Sequence, residues 1–587
     1  MPEPTRRFRL SRLRGTVTAL LAGALLVAGC STLPTSGQVH TRPDTDPGAA
    51  GQAPYFAPPG PTKGDDRAGV VRGFLLAMQA NPPSTAVARQ FLSERARTTW
   101  KPVQGTVVYN ASTVEPTNDS VIARFNDAHR LDPAGGWVQG TGGSISVEFR
   151  LVQDDGEWRI ENPPNELAVP ASYFPSLFLP FTLYFYDSTG TVLVPRRVYV
   201  PRGEQTATNL VRGLLAGPGS ALSDVATTAF PPRTLLDLAV VVDDSGLAEV
   251  PLGPRSLRMS SVELTRVVAQ LSRTLRQVPG ITRLRLTVDG SPLTLADGQT
   301  DASVNSGSDL DPVIATSHDV VGIVGRQVVR DADGTVGPIG GPLGVPGFAL
   351  RSVALDVERH KVAAVAGNGK RLYLAADEGA TTPTRVQTPV TGSNLLRPSF
   401  DRFGRLWTVD RTRKGAVVHV VSGGRDRVLR VPGVSGRPIS AFTLTRDGAR
   451  FVATLATGTA PTVLVGQVVR TDVGGVLRVT GTSRVTVPGA DLGPATDVVQ
   501  DSATTVAVLV QPASGSGQVI SVELDGSPGL PTAGPDLVPG SLVGLVGSPD
   551  PNDPLRVVTA DRKLLELTDA GQWVPSATKF LAAAYPQ

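Results

Sequence analysis

The sequence predicts a multidomain chain: two α+β domains followed by a C-terminal all-β propeller of about six blades, behind an N-terminal export signal. Three observations predict it. Helical and strand-like apolar periodicities alternate from residue 64 to about 300. Beyond residue 313 helical spacing disappears, and short β runs return with Gly, Asp and Pro turns every 44 to 55 residues. The chain's one cysteine, Cys30, follows a basic stretch and a short apolar run.

Residues 1–29 read as a signal peptide. Arg6, Arg7, Arg9, Arg12 and Arg14 form the basic region, and GTVTALLAGALLVA (15–28) is the uncharged apolar region. That run is short for a spanning helix, which needs roughly 20 apolar residues. Val27-Ala28-Gly29-Cys30 resembles the bacterial lipobox, in which the thiol accepts a lipid and the cysteine becomes the first mature residue. The resemblance implies that Cys30 becomes an S-diacylglycerol, N-palmitoyl cysteine anchored in the cell membrane. Ordinary secretion with a free thiol is the alternative. Arg6-Arg7-Phe8 also faintly echoes a twin-arginine export signal. With no second cysteine the mature chain has no internal disulfide, so its domains rely on packed cores. The net charge of +4 is all carried by the basic leader. The rest is near neutral, and no nucleic-acid partner is expected. Arg exceeds Lys, and Ala, Gly, Val and Pro abound, as in the products of a GC-rich, actinomycete-like genome.

Residues 30–63 are rich in Pro, Gly, Ser and Thr and read as a disordered, lipidated tether. The first α+β domain spans 64–170. Val70, Val71, Phe74, Leu75 and Met78 recur at helical spacing, and a second helix, capped by Ser84, carries Val87, Phe91 and Leu92. TVVYNAS, SVIARFN and SISVEFRLVQDDGEWRIENPP read as strands, the last with a hairpin turn at Asp154-Asp155-Gly156. Helices followed by a meander resemble the nuclear-transport-factor-like domains. YFPSLFLPFTLYFY (173–186) holds seven aromatics and reads as a linker running into a buried first strand, not as a ligand platform.

The second α+β domain spans 175–300. TATNLVRGLLAG and SSVELTRVVAQLSRTLRQV read as helices, the latter with Val262, Val267, Leu271, Leu275 and Val278 on one side. Ser261 offers that helix a cap without a capping-box Glu. The "YF" strand, LLAGP (214–218), the hairpin DDSGLAEV and RLTVDG resemble the GerMN domain, a module with no known catalytic role. Acidic, Ser-rich residues up to 312 make 301–312 a linker. Residues 313–587 read as the propeller, with repeats beginning near 352, 397, 441, 496 and 542. A β-sandwich is the competing fold.

Chemistry is sparse. His40, His129, His318, His360 and His419 form no pair at metal-ligand spacing, so no metal or cofactor is expected. No nucleophile elbow or phosphate loop occurs. GGPLGVPG (340–347) reads as a loop between blades and DADG (331–334) as a hairpin turn, since it lacks the remaining acids of a calcium loop. No catalytic residue, and no enzyme, is expected. The domain order, together with the start CSTLPTSG at Cys30–Gly37, resembles the actinobacterial LpqB lipoprotein family over nearly the whole mature chain. That resemblance implies an accessory protein on the outer face of the cell membrane. It would bind the extracellular domain of an MtrB-like sensor histidine kinase and modulate MtrA–MtrB signalling, affecting cell-wall homeostasis and division. Cell-wall glycan binding by the propeller is the alternative reading.

Overall fold

The computed structural model describes residues 55–587 except 141, 314–316, 357, 359, 378–384, 488–491, 513–515, 529–535 and 539. The expected signal peptide, Cys30, His40 and most of the tether lie outside the described residues. Among the described residues no helix is long and apolar enough to cross a membrane.

Part of the expected tether, from residue 55 on, packs onto the first domain. Phe56 exchanges two backbone hydrogen bonds with Asn81, at 2.9 and 3.0 Å, and Pro58 is buried. The first helix, Arg67–Ala77, is capped by Asp66, whose carboxylate accepts from the Gly69 N–H at 2.6 Å. It buries Val70, Val71, Phe74 and Leu75, and Met78 follows them into the core. The single helix expected after Ser84 is instead a turn of 3-10 helix, Ala88–Phe91, and a short helix, Glu94–Thr99. Ser93 splits the run because its hydroxyl accepts from Ala96 N–H and caps a new start.

The strands of this domain fall into three sheets, not one continuous curved sheet. Ala111–Pro116, Val121–Asn126 and Ile145–Phe149 form the meander. Thr106–Tyr109 pairs with His129–Leu131 and, in parallel, with Leu167–Pro170. The Gly-rich excursion between Val121–Asn126 and Ile145–Phe149 diverts Trp137–Val138 to that second sheet. Leu151–Asp154 and Glu157–Ile160 make the expected hairpin, with Asp155 (φ 54°) and Gly156 (φ 81°) in the left-handed region that the tight turn requires.

The aromatic stretch does become a buried strand, Phe178–Asp187, with Phe178, Phe181, Tyr184, Phe185 and Tyr186 all buried and Tyr173 exposed. It pairs along its length with Leu193–Pro201. Leu247–Pro251 and Arg283–Val288 run parallel, so the chain between them must cross over, and the helix Ser261–Leu275 does so. The helix buries Leu264, Val267, Leu271 and Leu275, whereas Val262 is exposed in its first turn. Its cap is Ser260, one residue earlier than expected, which brings Glu263 to the third position and completes a capping box.

The expected linker is part of this domain. Asp301–Ser303 adds a strand to Arg283–Val288. Asp311, its side chain 1% exposed, receives Arg273 at 2.7 Å and Arg276 at 3.4 Å. Two arginines at the end of the helix need a buried counter-charge, and 301–311 folds back to supply it.

The remaining chain forms antiparallel sheets, six among the described residues: five have four strands, and the fourth in order has a fifth strand, Ser483–Thr486, paired with Thr462–Arg470. Five are sequential meanders. The first is completed by the chain's last strand, Ala583–Ala584, which pairs with Val320–Val324. Apolar clusters join each sheet to the next: Val321 to Leu355, Val365 to Leu406, Trp407 to Phe451, Val452 to Val508, and Leu509 to Val557. The sixth packs back on the first through Val320, Val329, Val546, Val558, Leu564 and Phe580, so the sheets make a ring.

The strand Leu193–Pro201 ties the three domains together. Arg196 pairs with Asp132 of the first domain. Arg197 donates to Glu523 of the propeller at 2.6 Å, and the Tyr199 hydroxyl to Ser527 at 2.8 Å. Arg450 returns a bond to the Pro195 carbonyl at 2.6 Å, and Ala449 and Val469 enter the middle domain's core.

Candidate functional site: the channel mouth beneath the middle domain

The innermost strand of each sheet faces the ring's axis. At one end of the axis lies a cavity of about 320 Å³, walled by Phe400, Phe442, Arg446 and Gln587 and roofed by Val192 and Asp309 of the middle domain. At the other end a cavity of about 250 Å³ opens among Ser352, Ser440 and Thr496. Arg397 lines both. Its guanidinium donates to Asp497 at 2.9 Å and to the carbonyls of Leu545 (2.9 Å) and Val498 (3.0 Å). One side chain from the third sheet thus braces the fifth and sixth across the axis and divides the channel into two cups.

The final residues run into the roofed cup. The Gln587 amide N–H donates to the Leu355 carbonyl at 2.8 Å, and its side-chain oxygen accepts from Phe400 N–H at 2.6 Å. Arg446 holds them there, donating to the Pro586 carbonyl at 2.6 Å and to the Val313 carbonyl at 3.5 Å. Burial pushes the Arg446 pKa down, and the charges of Asp553, Asp550 and Glu358 oppose that fall. Phe400, Phe442 and Tyr585 in the cup wall are each 3% exposed, which leaves their rings no open face for stacking a sugar.

Beside the cup, His318, Asp550 and Asp553 converge, with one potential ligand atom from each lying within 4.8 Å of the others. His318 Nδ1 stands 2.8 Å from Asp553 Oδ1, a hydrogen bond that raises the imidazole pKa. Sequence spacing could not find this cluster, because 235 residues separate the pair. The available signal was the Pro- and Asp-rich run SPDPNDP, which departs from the Asp-Gly turns of the other repeats.

The other histidines make no such cluster among the described residues. His129 lies against Trp137, with ring centroids 4.8 Å apart, and burial lowers its pKa. His419 bonds Asp426 across a hairpin at 2.9 Å, and His360 lies in the turn between the first two strands of the second sheet. DADG is a hairpin turn, with Asp331 accepting from Gly334 N–H at 2.9 Å. GGPLGVPG connects the first and second sheets. Cys30 is outside the described residues.

The fold and site define a class: a protein with a small α+β domain, a GerMN-like domain and a propeller whose axial cup lies under the GerMN-like domain. The comparisons agree domain by domain. Residues 60–175 match the lipoprotein LpqB N-terminal domain, 182–294 the sporulation and spore germination domain, and 326–586 the lipoprotein LpqB β-propeller domain. Lipoprotein LpqB of Streptomyces coelicolor is 28% identical, covering 97% of this chain and 97% of its own. That of Thermobifida fusca is 27% identical, over 94% and 95%. Among solved structures, the tandem GerMN domains of GerM from Bacillus subtilis cover 22% of this chain and 46% of theirs, at 22% identity and TM-score 0.19. The chain belongs to the LpqB lipoprotein family. None of these names describes an enzyme.

Proposed function

We propose that this chain is a lipoprotein anchored through Cys30 to the outer face of the cell membrane. There it modulates an MtrB-like sensor histidine kinase by contact with the kinase's extracellular domain, and so affects cell-wall homeostasis and division. It acts without catalysis. The observation that carries the reading is the order of the family's domains, joined in one body that starts about 25 residues after the lipobox-like Val27-Ala28-Gly29-Cys30. Twenty-five residues reach at most about 80–90 Å even when fully extended. That limit confines the body to a thin layer above the bilayer, where a membrane kinase meets it at high effective concentration, so a weak interface suffices. The buried rings of the axial cup weigh against wall glycan as the ligand.

Calorimetry of soluble residues 31–587 against the purified kinase extracellular domain, with wall glycan as a parallel ligand, tests the reading. Saturable binding to the kinase at micromolar affinity or tighter is expected. Binding to glycan alone would replace this reading with that of a wall-contacting protein. A second arm replaces Cys30 with Ala in cells, and the protein is expected to move from the membrane fraction to the soluble one.

A further inference from the structure

The third, fourth and fifth sheets each place an acid in the turn after their innermost strand, and there it serves its own turn. Asp401 accepts from the N–H groups of Phe403 (3.0 Å) and Arg405 (2.9 Å). Asp447 accepts from Ala449 N–H at 2.7 Å, and Asp501 from the Thr505 hydroxyl at 2.5 Å. The sixth sheet departs from this pattern. Its turn, Ser548–Pro554, holds two acids and three prolines. Asp550 fills the usual role, accepting from the Asn552 N–H at 2.9 Å. Asp553 is additional. Its side chain is 1% exposed; Oδ1 meets His318, and Oδ2 is buried with no hydrogen-bond partner among the described residues. A buried carboxylate oxygen left without a donor is costly, and the turn does not require it.

We propose that His318, Asp550 and Asp553 form a binding site for a divalent transition cation of the zinc class. One imidazole and two carboxylates suit zinc, whereas calcium takes six to eight oxygens. Donors on a tetrahedral zinc stand about 3.3 Å apart, from metal–ligand distances near 2.0 Å. The 2.8 Å pair and the 4.8 Å outer limit bracket that separation. The prolines hold the two acids on a stiff turn. His318 is 54% exposed, so water or a ligand from outside can complete the coordination shell. The ion would clasp the sixth sheet to the segment entering the first, at the ring's seam and beside the cup.

The test uses the full-length protein in detergent, without a polyhistidine tag and stripped with chelator. It is titrated calorimetrically with ZnCl2 and, separately, with CaCl2. One zinc per chain is expected, with calcium weaker. His318→Ala and Asp553→Asn should each weaken zinc at least about tenfold. His129→Ala should leave binding unchanged. Zinc should also raise the melting temperature of the wild type but not of His318→Ala. His318→Ala alters a half-exposed side chain, so it remains informative if Asp553→Asn folds poorly. The proposal is overturned if zinc fails to bind at millimolar concentration, if both variants bind it as the wild type does, or if calcium binds more tightly.

Discussion

Single charges decide how the domains meet. Arg197 and Glu523 join the middle domain to the propeller inside a desolvated seam. Burial pushes the Glu523 carboxyl above its ordinary range even with the arginine beside it. Asp525, two residues on, is also raised by burial, while the Ser527 hydroxyl and N–H pull it down, and its Oδ2 has no hydrogen-bond partner among the described residues. A carboxyl whose pKa is higher in the folded state stabilises the fold below its unfolded pKa, and that contribution is lost as pH rises through the folded value. Asparagine at this position keeps the oxygen that accepts from Ser527 N–H and cannot ionise. Urea melts of Asp525→Asn and wild type should therefore nearly coincide at about pH 4 and diverge by about pH 8, with the variant the more stable. If the wild type instead gains on the variant as pH rises, Arg197 and Arg450 hold the ionised form and the seam is a true ion network.

At the scale of the element, one residue moves a boundary and changes what holds it. With Ser260 as cap, Glu263 reaches back to the Ser260 N–H at 2.8 Å while the serine hydroxyl accepts from Glu263 N–H at 3.3 Å. Ser260→Ala removes one arm and is expected to destabilise the domain by about 1 kcal/mol, read as a shifted urea midpoint at unchanged slope. A Ser261→Ala variant, at the position the sequence suggests, should be nearly silent, and equal losses in both would remove the box from the account. Periodicity reveals such helices but not their first residue, because Ser260 and Ser261 are chemically the same and only the register of Glu263 chooses. It also shows the repeats, since each strand pair buries its own apolar face. It hides whatever depends on remote partners. Asp311 looked like linker until Arg273 and Arg276 were beside it, and His318 looked solitary until the ring brought Asp553 to it.

The whole molecule is closed by its last strand. Gly322 in the first sheet pairs with Ala583, the Ile323 N–H donates to the Ala582 carbonyl at 2.9 Å, and the Leu581 N–H returns to Ile323 at 2.9 Å. Phe580, fully buried, packs against the bare face of Gly322, so closely that a Cβ there would overlap its ring. A side chain at 322 must therefore push out Phe580 and the closing strand with it. Gly337, two strands away in the same sheet, has open space where its Cβ would lie. Gly322→Val is expected to destabilise the propeller by about 3 kcal/mol or more, in the range of losing a buried phenylalanine. Gly337→Ala should be close to neutral. Hydrogen exchange should quicken in 320–324 and 579–587 of Gly322→Val alone, and the roofed cup should loosen with them, because Arg446 grips Pro586 from that same terminal run. Equal protection in the two variants would mean that the apolar seam of Val320, Val546 and Val558 closes the ring without the strand, and the final residues would then be a lining of the cup and not its latch.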